Sequence, residues 1–262
     1  MKVVILCGGY GTRIREVTED LPKPMIPLGR YPILWHIMKH YAQAGHDEFV
    51  LCLGYKGDVI RNFFLNYHTL TRDVTVTLGE APAIDFHDSP EEEGWKVTLA
   101  DTGQDTLTGS RLGRIKRYIA DDENFLMTYG DGVGDIDLGA LIDFHKSHSR
   151  IMTVSGVRPP GRFGELMHDG DGIVTEFNEK PQAAEGLISG GFFVCRRELF
   201  DYLDPVRDDE MLEQEPMRRL AREGQMAVYT HNGFWQCMDT RRDYDLLCSL
   251  LESGDAPWVS WG

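Results

Sequence analysis

Three glycines, a threonine and an arginine follow the first apolar stretch of the chain, in the order Gly8-Gly9-Tyr10-Gly11-Thr12-Arg13. Glycine lets a backbone approach a ligand closely, and successive N–H groups can cradle a phosphate. The order does not match the dinucleotide fingerprint, because position 14 is Ile14, nor the P-loop, because no Gly-Lys-Ser/Thr follows. The motif therefore indicates either another kind of phosphate-binding turn or a plain strand-to-loop turn.

A second cation follows shortly afterwards, in Pro22-Lys23-Pro24-Met25. Arg13 could grip a phosphate with two parallel hydrogen bonds and Lys23 as a point charge, so the pair could neutralise a polyphosphate. The prolines restrict the backbone around Lys23 and so reduce the entropy lost in positioning it. The alternative is that both cations are solvated at the surface, as most are.

A carboxylate, Asp131, stands between Gly130 and Gly132 directly after the apolar residues 125–129. A carboxylate at the carboxyl end of a strand suits Mg²⁺ that arrives on phosphates. Gly-Asp-Gly is also a common turn, which is the alternative. The nearby Asp135-Ile136-Asp137 resembles a glycosyltransferase metal motif, but Asp131 fits the end of the strand better.

The composition narrows the possible partners. The 262 residues carry 27 Lys and Arg against 42 Asp and Glu, a formal net charge of −15. Nucleic acids and anionic membranes select basic faces, so neither is an expected partner, whereas a small anionic ligand needs only local cations. No apolar run approaches the roughly 18 residues of a membrane helix, the first apolar run is typical of a strand rather than a secretion signal, and the five cysteines are scattered. We expect a soluble, cytoplasmic protein.

The elements that must position these residues alternate between strand and helix. The patterns predict strands at 3–6, 48–53, 74–78, 96–100, 125–129, 151–156, 173–177, 191–195 and 226–230, and helices at 33–44, 58–67, 137–145, 210–222 and 241–251. Residues 81–94, which are charged and contain two prolines, predict a surface excursion. His36 and His40, at helical spacing, are interpreted as core-edge residues rather than metal ligands. The alternation indicates an α/β fold in one domain, with a mostly parallel sheet covered on both faces.

Two segments of the chain together resemble the signature of sugar-1-phosphate nucleotidylyltransferases. They are Leu6-Cys7-Gly8-Gly9-Tyr10-Gly11-Thr12-Arg13 and Pro22-Lys23-Pro24-Met25. Further matches, which favour the cytidylyl branch, include Asp101-Thr102-Gly103, Thr108-Gly109-Ser110-Arg111, Tyr129-Gly130-Asp131-Gly132, Glu179-Lys180-Pro181, Gly190-Gly191-Phe192-Phe193 and Phe234-Trp235-Gln236-Cys237-Met238-Asp239-Thr240. They span essentially the whole chain in the family's order. Ser189 and Cys237 depart from the usual Asn and Pro of the family near the sugar end, which bears on sugar choice.

The resemblance implies the transfer of a cytidylyl group from CTP to glucose 1-phosphate, giving CDP-glucose and pyrophosphate. It implies a Rossmann-like, mostly parallel mixed sheet flanked by helices, with small β insertions. The expected domain spans residues 1–262, with 1–135 mainly binding the nucleotide and 136–262 mainly the sugar phosphate. The cofactor implied is Mg²⁺, with Asp131 and Asp239 as its ligands, although Asp239 alone could equally be a helix N-cap before Arg241.

The resemblance also assigns residues to the two substrates. The expected catalytic residues are Arg13 on the leaving pyrophosphate, Lys23 on the α-phosphate, and Asp131. The nucleotide side comprises Leu6, Gly8, Gly9, Gly11, Thr12, Arg13, Lys23, Thr106, Thr108, Arg111, Gly130 and Asp131. The sugar-phosphate side comprises Tyr129, Glu179, Lys180 and Gly191, although Glu179-Lys180 could also be an exposed charge pair.

For the base, the donor-only guanidinium of Arg111 could favour cytosine by reaching N3 or O2, with Thr106 and Thr108 as neighbours. An arginine could equally contact a ribose or a phosphate.

Three other functions stay open at this point: use of another pyrimidine nucleotide or another hexose 1-phosphate, a non-catalytic relative that binds sugar nucleotides, and a glycosyltransferase using Asp135 and Asp137. Relatives in the family assemble through arms, which suggests that this chain forms a homo-oligomer. The loop from Thr18 to Leu21 could serve as such an arm.

Overall fold

The computed structural model describes residues 1–9, 20–79, 82–87, 94–119, 121–158, 165–168, 174–178, 186–204 and 206–261, with 165–168 and 174–178 described by their backbone alone. A seven-stranded sheet lies at the centre. In spatial order its strands are β14 (Met226–Thr230), β10 (Met152–Val157), β13 (Ile188–Arg196), β8 (Asn124–Tyr129), β1 (Val3–Leu6), β4 (Glu48–Leu53) and β7 (Lys96–Asp101). Only β13 runs antiparallel to its neighbours. The predicted α/β class and mostly parallel mixed sheet are confirmed.

Helices cover both faces of this sheet because its inner strands are apolar on both sides. In β1, Val3 and Ile5 face one core cluster while Val4 and Leu6 face the other. The first cluster also contains side chains of α1 (Ile33–Gln43), α6 (Leu138–Lys146) and α8 (Arg241–Ser253). The second contains side chains of α4 (Thr108–Arg114), α5 (Lys116–Ile119), α7 (Glu215–Arg222) and the 3₁₀ helix Arg197–Tyr202.

Within the described ranges, four two-stranded sheets supply the predicted β insertions. They pair β2 (Pro27–Leu28) with β3 (Tyr31–Pro32), β5 (Val74–Thr77) with β6 (Ala83–Phe86), β11 (Glu165–His168) with β12 (Val174–Asn178), and β9 (Gly132–Gly134) with β15 (Trp235–Cys237). The segment 81–94, expected as a surface excursion, contains β6, and the described residues 82–87 are exposed.

Two predicted helices differ from the structure. The helix expected over 58–67 is α2 (Gly57–Leu65) followed by a separate α3 (Tyr67–Thr71), because the backbone of Asn66 leaves the helical conformation between them. The helix expected over 210–222 begins only at Glu215, with Pro216 in its first turn. Proline disfavours helical conformation in the residue before it and has no N–H to donate, so it belongs at a helix start.

In the part of the chain that the structure describes, no helix has both the length and the apolar character needed to cross a membrane. All five cysteines carry free thiols.

Candidate active site

The carboxyl ends of β1, β4, β7 and β8 meet at one edge of the sheet, since these strands are parallel, and an open cleft lies there. Its empty space, mouth included, is about 740 Å³. The cleft brings together all of the described residues predicted for the nucleotide side: Leu6, Gly8, Gly9, Lys23, Thr106, Thr108, Arg111, Gly130 and Asp131, together with Tyr129 from the sugar-phosphate side. Leu107 and Met211, which the sequence did not single out, also line it.

Lys23 lies between two carboxylates. It begins a 3₁₀ turn, Lys23–Met25, whose Pro24 and Met25 are buried and whose Met25 N–H donates to the carbonyl of Pro22 over 2.8 Å. Its Nζ donates to Oδ2 of Asp131 over 2.7 Å and also to Oδ1 of Asp239. Burial alone would lower the pKa of Lys23, but the two carboxylates outweigh it and raise that pKa above its ordinary value. The lysine is therefore held as a cation at a fixed point of the cleft.

A short antiparallel pair of strands, β9 and β15, holds the two carboxylates side by side. Asp131 precedes β9, Asp239 follows β15, and Cys237 pairs with Gly132 across the ladder. The Met238 N–H donates to the carbonyl of Asp131 over 2.8 Å. The helix N-cap of α8 is Thr240, in a capping box with Asp243, so the side chain of Asp239 is not the cap.

The two carboxylates are the oxygen ligands that this cleft offers to Mg²⁺. Asp131 and Asp239, about one-third exposed, converge on the single cation position that Lys23 occupies. Mg²⁺ commonly takes one or two carboxylates and completes its shell with water and phosphate, so this pair fits it. Among the described residues, no group of three or more His, Cys, Asp or Glu side chains is arranged to hold a metal ion. The arrangement suits an ion carried in on phosphates rather than one in an all-protein cage.

Arg111 is buried beneath the glycine turn. Its Nη1 donates to the carbonyls of Leu53 and Gly103 and to Oγ1 of Thr102, over 2.7–3.1 Å. Its Nη2 donates to the carbonyls of Gly8 and Gln104, over 3.2 and 3.0 Å. The four terminal N–H groups are therefore engaged within the protein, which leaves them poorly placed to read a base.

Gly8 and Gly54 make this position possible. A Cβ at either residue would lie 2.1 Å from an atom of the Arg111 guanidinium. The cation therefore ties the ends of β1, β4 and β7 together. The glycine motif has a packing reason in addition to its expected role toward phosphate.

On the sugar-phosphate side, Gly191 adopts a φ of +78°, and a Cβ there would lie 2.8 Å from the ring of Tyr129. The two predicted residues are thus in contact across β13 and β8. The Tyr129 hydroxyl donates to Glu213, and burial followed by the Glu213 charge raises the pKa of Tyr129. Glu213 was not predicted, and its only sequence signal is an acidic segment before a helix.

The carboxylates of the glycosyltransferase alternative have other partners. Asp135 pairs with His231 over 3.0 Å, and Asp137 caps α6 by accepting from the Ala140 N–H over 2.9 Å.

His36 and His40 are largely buried and contact the carbonyls of Leu28 and Ile136, and burial lowers the pKa of each. Their interpretation as core-edge residues agrees with these contacts.

Several predicted residues lie outside the described part of the chain: Gly11, Thr12, Arg13, Glu179, Lys180, and the Thr18 end of the proposed oligomer loop.

A family model for nucleotidyl transferases matches residues 2–244. The chain is 48% identical over 261 residues to the glucose-1-phosphate cytidylyltransferase of Salmonella typhi, with 100% of both chains covered.

Two solved structures share the fold. HddC from Yersinia pseudotuberculosis superposes with a TM-score of 0.69 at 23% identity, covering 95% of this chain and 99% of that chain. The inositol-1-phosphate CTP transferase from T. maritima gives 0.63 at 15% identity, covering 97% and 96%. At these identities the two likenesses concern the fold alone.

Proposed function

This chain belongs to the nucleotidyl transferase family, and from that premise we propose that it transfers the cytidylyl group of CTP to glucose 1-phosphate, giving CDP-glucose and pyrophosphate. The observation that carries the proposal is the convergence of Lys23, Asp131 and Asp239 in the cleft of a chain that matches a cytidylyltransferase along its whole length.

The reaction needs no base from the protein. A phosphate oxygen of glucose 1-phosphate, already ionised at neutral pH, forms the new bond to the α-phosphorus of CTP. The bond from that phosphorus to the bridging oxygen breaks, and pyrophosphate leaves with the electron pair. The protein's task is then to position two anions and neutralise the charge that develops between them.

Lys23 is proposed to contact the α-phosphate, and Arg13 the departing pyrophosphate. The charged Lys23 already lies at the cleft, held by Asp131 and Asp239. Asp131 and Asp239 would hold Mg²⁺, which when bound neutralises phosphate charge and orients the triphosphate. Glu179, Lys180, Tyr129 and Gly191 are proposed for the sugar phosphate.

Base selection is proposed to rest on Thr106 and Thr108 rather than on Arg111. Both threonines line the cleft. The terminal N–H groups of Arg111 are engaged by backbone carbonyls and Thr102.

The proposal includes association of the chain with copies of itself. Exposed apolar side chains concentrate on α2, α3 and the β5–β6 hairpin, where Val76 pairs with Ile84 across the ladder: Leu65, Leu70, Val76, Leu78, Ile84 and Phe86. Contiguous exposed apolar surface commonly marks a site of protein association.

The test is a pyrophosphate-release screen of CTP, UTP, dTTP and ATP against a panel of hexose 1-phosphates, with product identified by mass. We expect CTP with glucose 1-phosphate to give the highest kcat/KM. Preference for another nucleotide would contradict the cytidylyl assignment, and no release with any pair would contradict catalysis altogether.

A further inference from the structure

An acidic segment, residues 208–213, lies against the amino-terminal turn of α4. The carbonyl of Glu210 accepts from the N–H groups of Gly109 and Ser110, over 2.9 and 3.2 Å. The Leu107 N–H donates to the carbonyl of Asp208 over 2.8 Å. Segments about a hundred residues apart in the chain are therefore joined along one wall of the cleft, and Met211 of this segment lines the cleft itself.

Glu213 of this segment holds two hydroxyl groups of that wall. Oγ1 of Thr108 lies 2.6 Å from Oε2 of Glu213, and the Tyr129 hydroxyl contacts Oε1. An ionised carboxylate can only accept hydrogen bonds, so both hydroxyl protons must point at Glu213.

The polarity of Thr108 toward the cleft is fixed as a result. Its hydroxyl has one proton, which Glu213 takes, and two lone pairs, one of which accepts from the Leu212 N–H over 3.0 Å. The remaining lone pair is all that Thr108 can offer a ligand. Thr108 is therefore an acceptor and not a donor.

Thr106, unlike Thr108, keeps the ability to donate. Its Oγ1 accepts from Nη1 of Arg114 over 3.0 Å, which leaves its own proton to be donated. Thr106 is buried and lines the same cleft. The wall thus presents one hydroxyl that accepts and one that can donate.

We propose that Glu213 is a specificity-determining residue that favours cytosine over uracil by holding Thr108 as an acceptor. Cytosine carries an amino donor at C4 beside acceptors at N3 and O2, which complements Thr108 and Thr106. Uracil carries an oxygen at C4, which would meet the lone pair of Thr108. The inference rests on the proposed use of CTP and names the group that enforces it.

The test measures kcat/KM for CTP and UTP side by side in the full-length protein. Glu213→Ala releases the Thr108 proton, so we expect the CTP:UTP ratio to fall about 10-fold, the usual size of one hydrogen-bond mismatch. Thr108→Val removes the acceptor and should lower the ratio similarly. The double variant should fall no further than Thr108→Val, because Glu213 acts through that hydroxyl.

Three controls separate this role from a general defect. Thr108→Ser keeps the hydroxyl and should retain the wild-type CTP:UTP ratio. Tyr129→Phe removes the other partner of Glu213 and should leave the ratio unchanged, whatever it does to the KM for glucose 1-phosphate. Glu215→Ala removes a neighbouring carboxylate that pairs with Arg222 at the surface and should change neither quantity.

The outcomes are distinguishable. Wild-type protein that turns over CTP, together with an unaltered ratio in Glu213→Ala and in Thr108→Val, would overturn the inference and leave the proposed function standing. An equal loss of ratio in Tyr129→Phe would also overturn it. Wild-type protein that makes no CDP-glucose would instead contradict the proposed function. Circular dichroism and thermal melting identify any variant that fails to fold. In that case the CTP:UTP ratios of Thr108→Ser and Thr108→Val still decide whether the Thr108 hydroxyl selects the base.

Discussion

Lys23 is the residue on which the charges of the cleft converge. Lys23→Ala should lower kcat/KM by about 10²-fold or more, because removing one donor to a developing oxyanion typically costs about 3 kcal/mol. Lys23→Arg should also be impaired, since a planar fork does not reproduce a compact ammonium between two carboxylates. Steady-state pyrophosphate release measures both. Lys96→Ala is the matched control, because Lys96 pairs with Glu48 on the surface, and full activity in Lys23→Ala would refute the assignment.

The carboxylates give a prediction that activity and stability together can check. Asp131→Asn and Asp239→Asn should each lose most activity, because one anionic oxygen toward Mg²⁺ is gone. Each should keep its fold, as judged by thermal melting, since both side chains are partly exposed.

Excess Mg²⁺ should rescue these variants only in part. Glu48→Gln, which alters an exposed carboxylate far from the cleft, serves as the control. Undiminished wild-type turnover in EDTA would exclude the metal role.

At the scale of elements, the contact of α6 with β10 should make stability depend on pH. His145 is buried, its Nδ1 lies 2.8 Å from Oγ1 of Thr153, and burial, with positive charge from His148 and Arg196, lowers its pKa to about 4. The unfolded chain binds this proton with an ordinary pKa near 6.5. The contribution of His145 to the free energy of unfolding is therefore complete above about pH 6.5. It is lost as the pH falls, by about 3 kcal/mol between pH 7 and pH 4.

Urea unfolding of wild-type and His145→Gln protein across this range measures the effect. As the pH falls from 7 to 4, the unfolding free energy of the wild type should decrease more than that of His145→Gln. The control is His87→Gln, on the exposed hairpin, whose unfolding free energy should follow that of the wild type. Parallel curves for wild type and His145→Gln would count against the assignment.

The elements also show where prediction from sequence succeeds and where it stops. The sequence predicts the strands β1, β4 and β8 to within one residue, because each is mostly apolar and ends within two residues of a glycine. The helix α4 was not predicted, because Thr108-Gly109-Ser110 has poor helix propensity and its first N–H groups are satisfied by Glu210 from a distant segment. Lys23 and Asp131 could be found by type and position. The pairing of β9 with β15 that sets Asp239 beside them, and the contacts of the Glu213 carboxylate, join segments far apart in the chain and could not be found in this way.

At the scale of the whole molecule, we expect self-association through the exposed apolar side chains between residues 65 and 86. Light scattering should give the wild-type protein a mass above that of one 29.7 kDa chain. Ile84→Lys should lower that mass, because a charge placed opposite Val76 must be desolvated in any interface. Val206→Lys, at a still more exposed valine elsewhere in the chain, is the control. A monomeric wild-type protein would contradict the expectation.

The pairing of β9 with β15, which brings Asp131 and Asp239 together, also determines when the site first forms during synthesis. A ribosome releases Asp131 with β8, in the middle of the chain, and about 100 further residues must be polymerised before Asp239 emerges. At typical rates of synthesis this interval lasts about 5 to 20 s. During it, Lys23 can have only one of its two carboxylate partners, and the strand that pairs with β9 has not been made. Chains interrupted before β15 should therefore be catalytically silent.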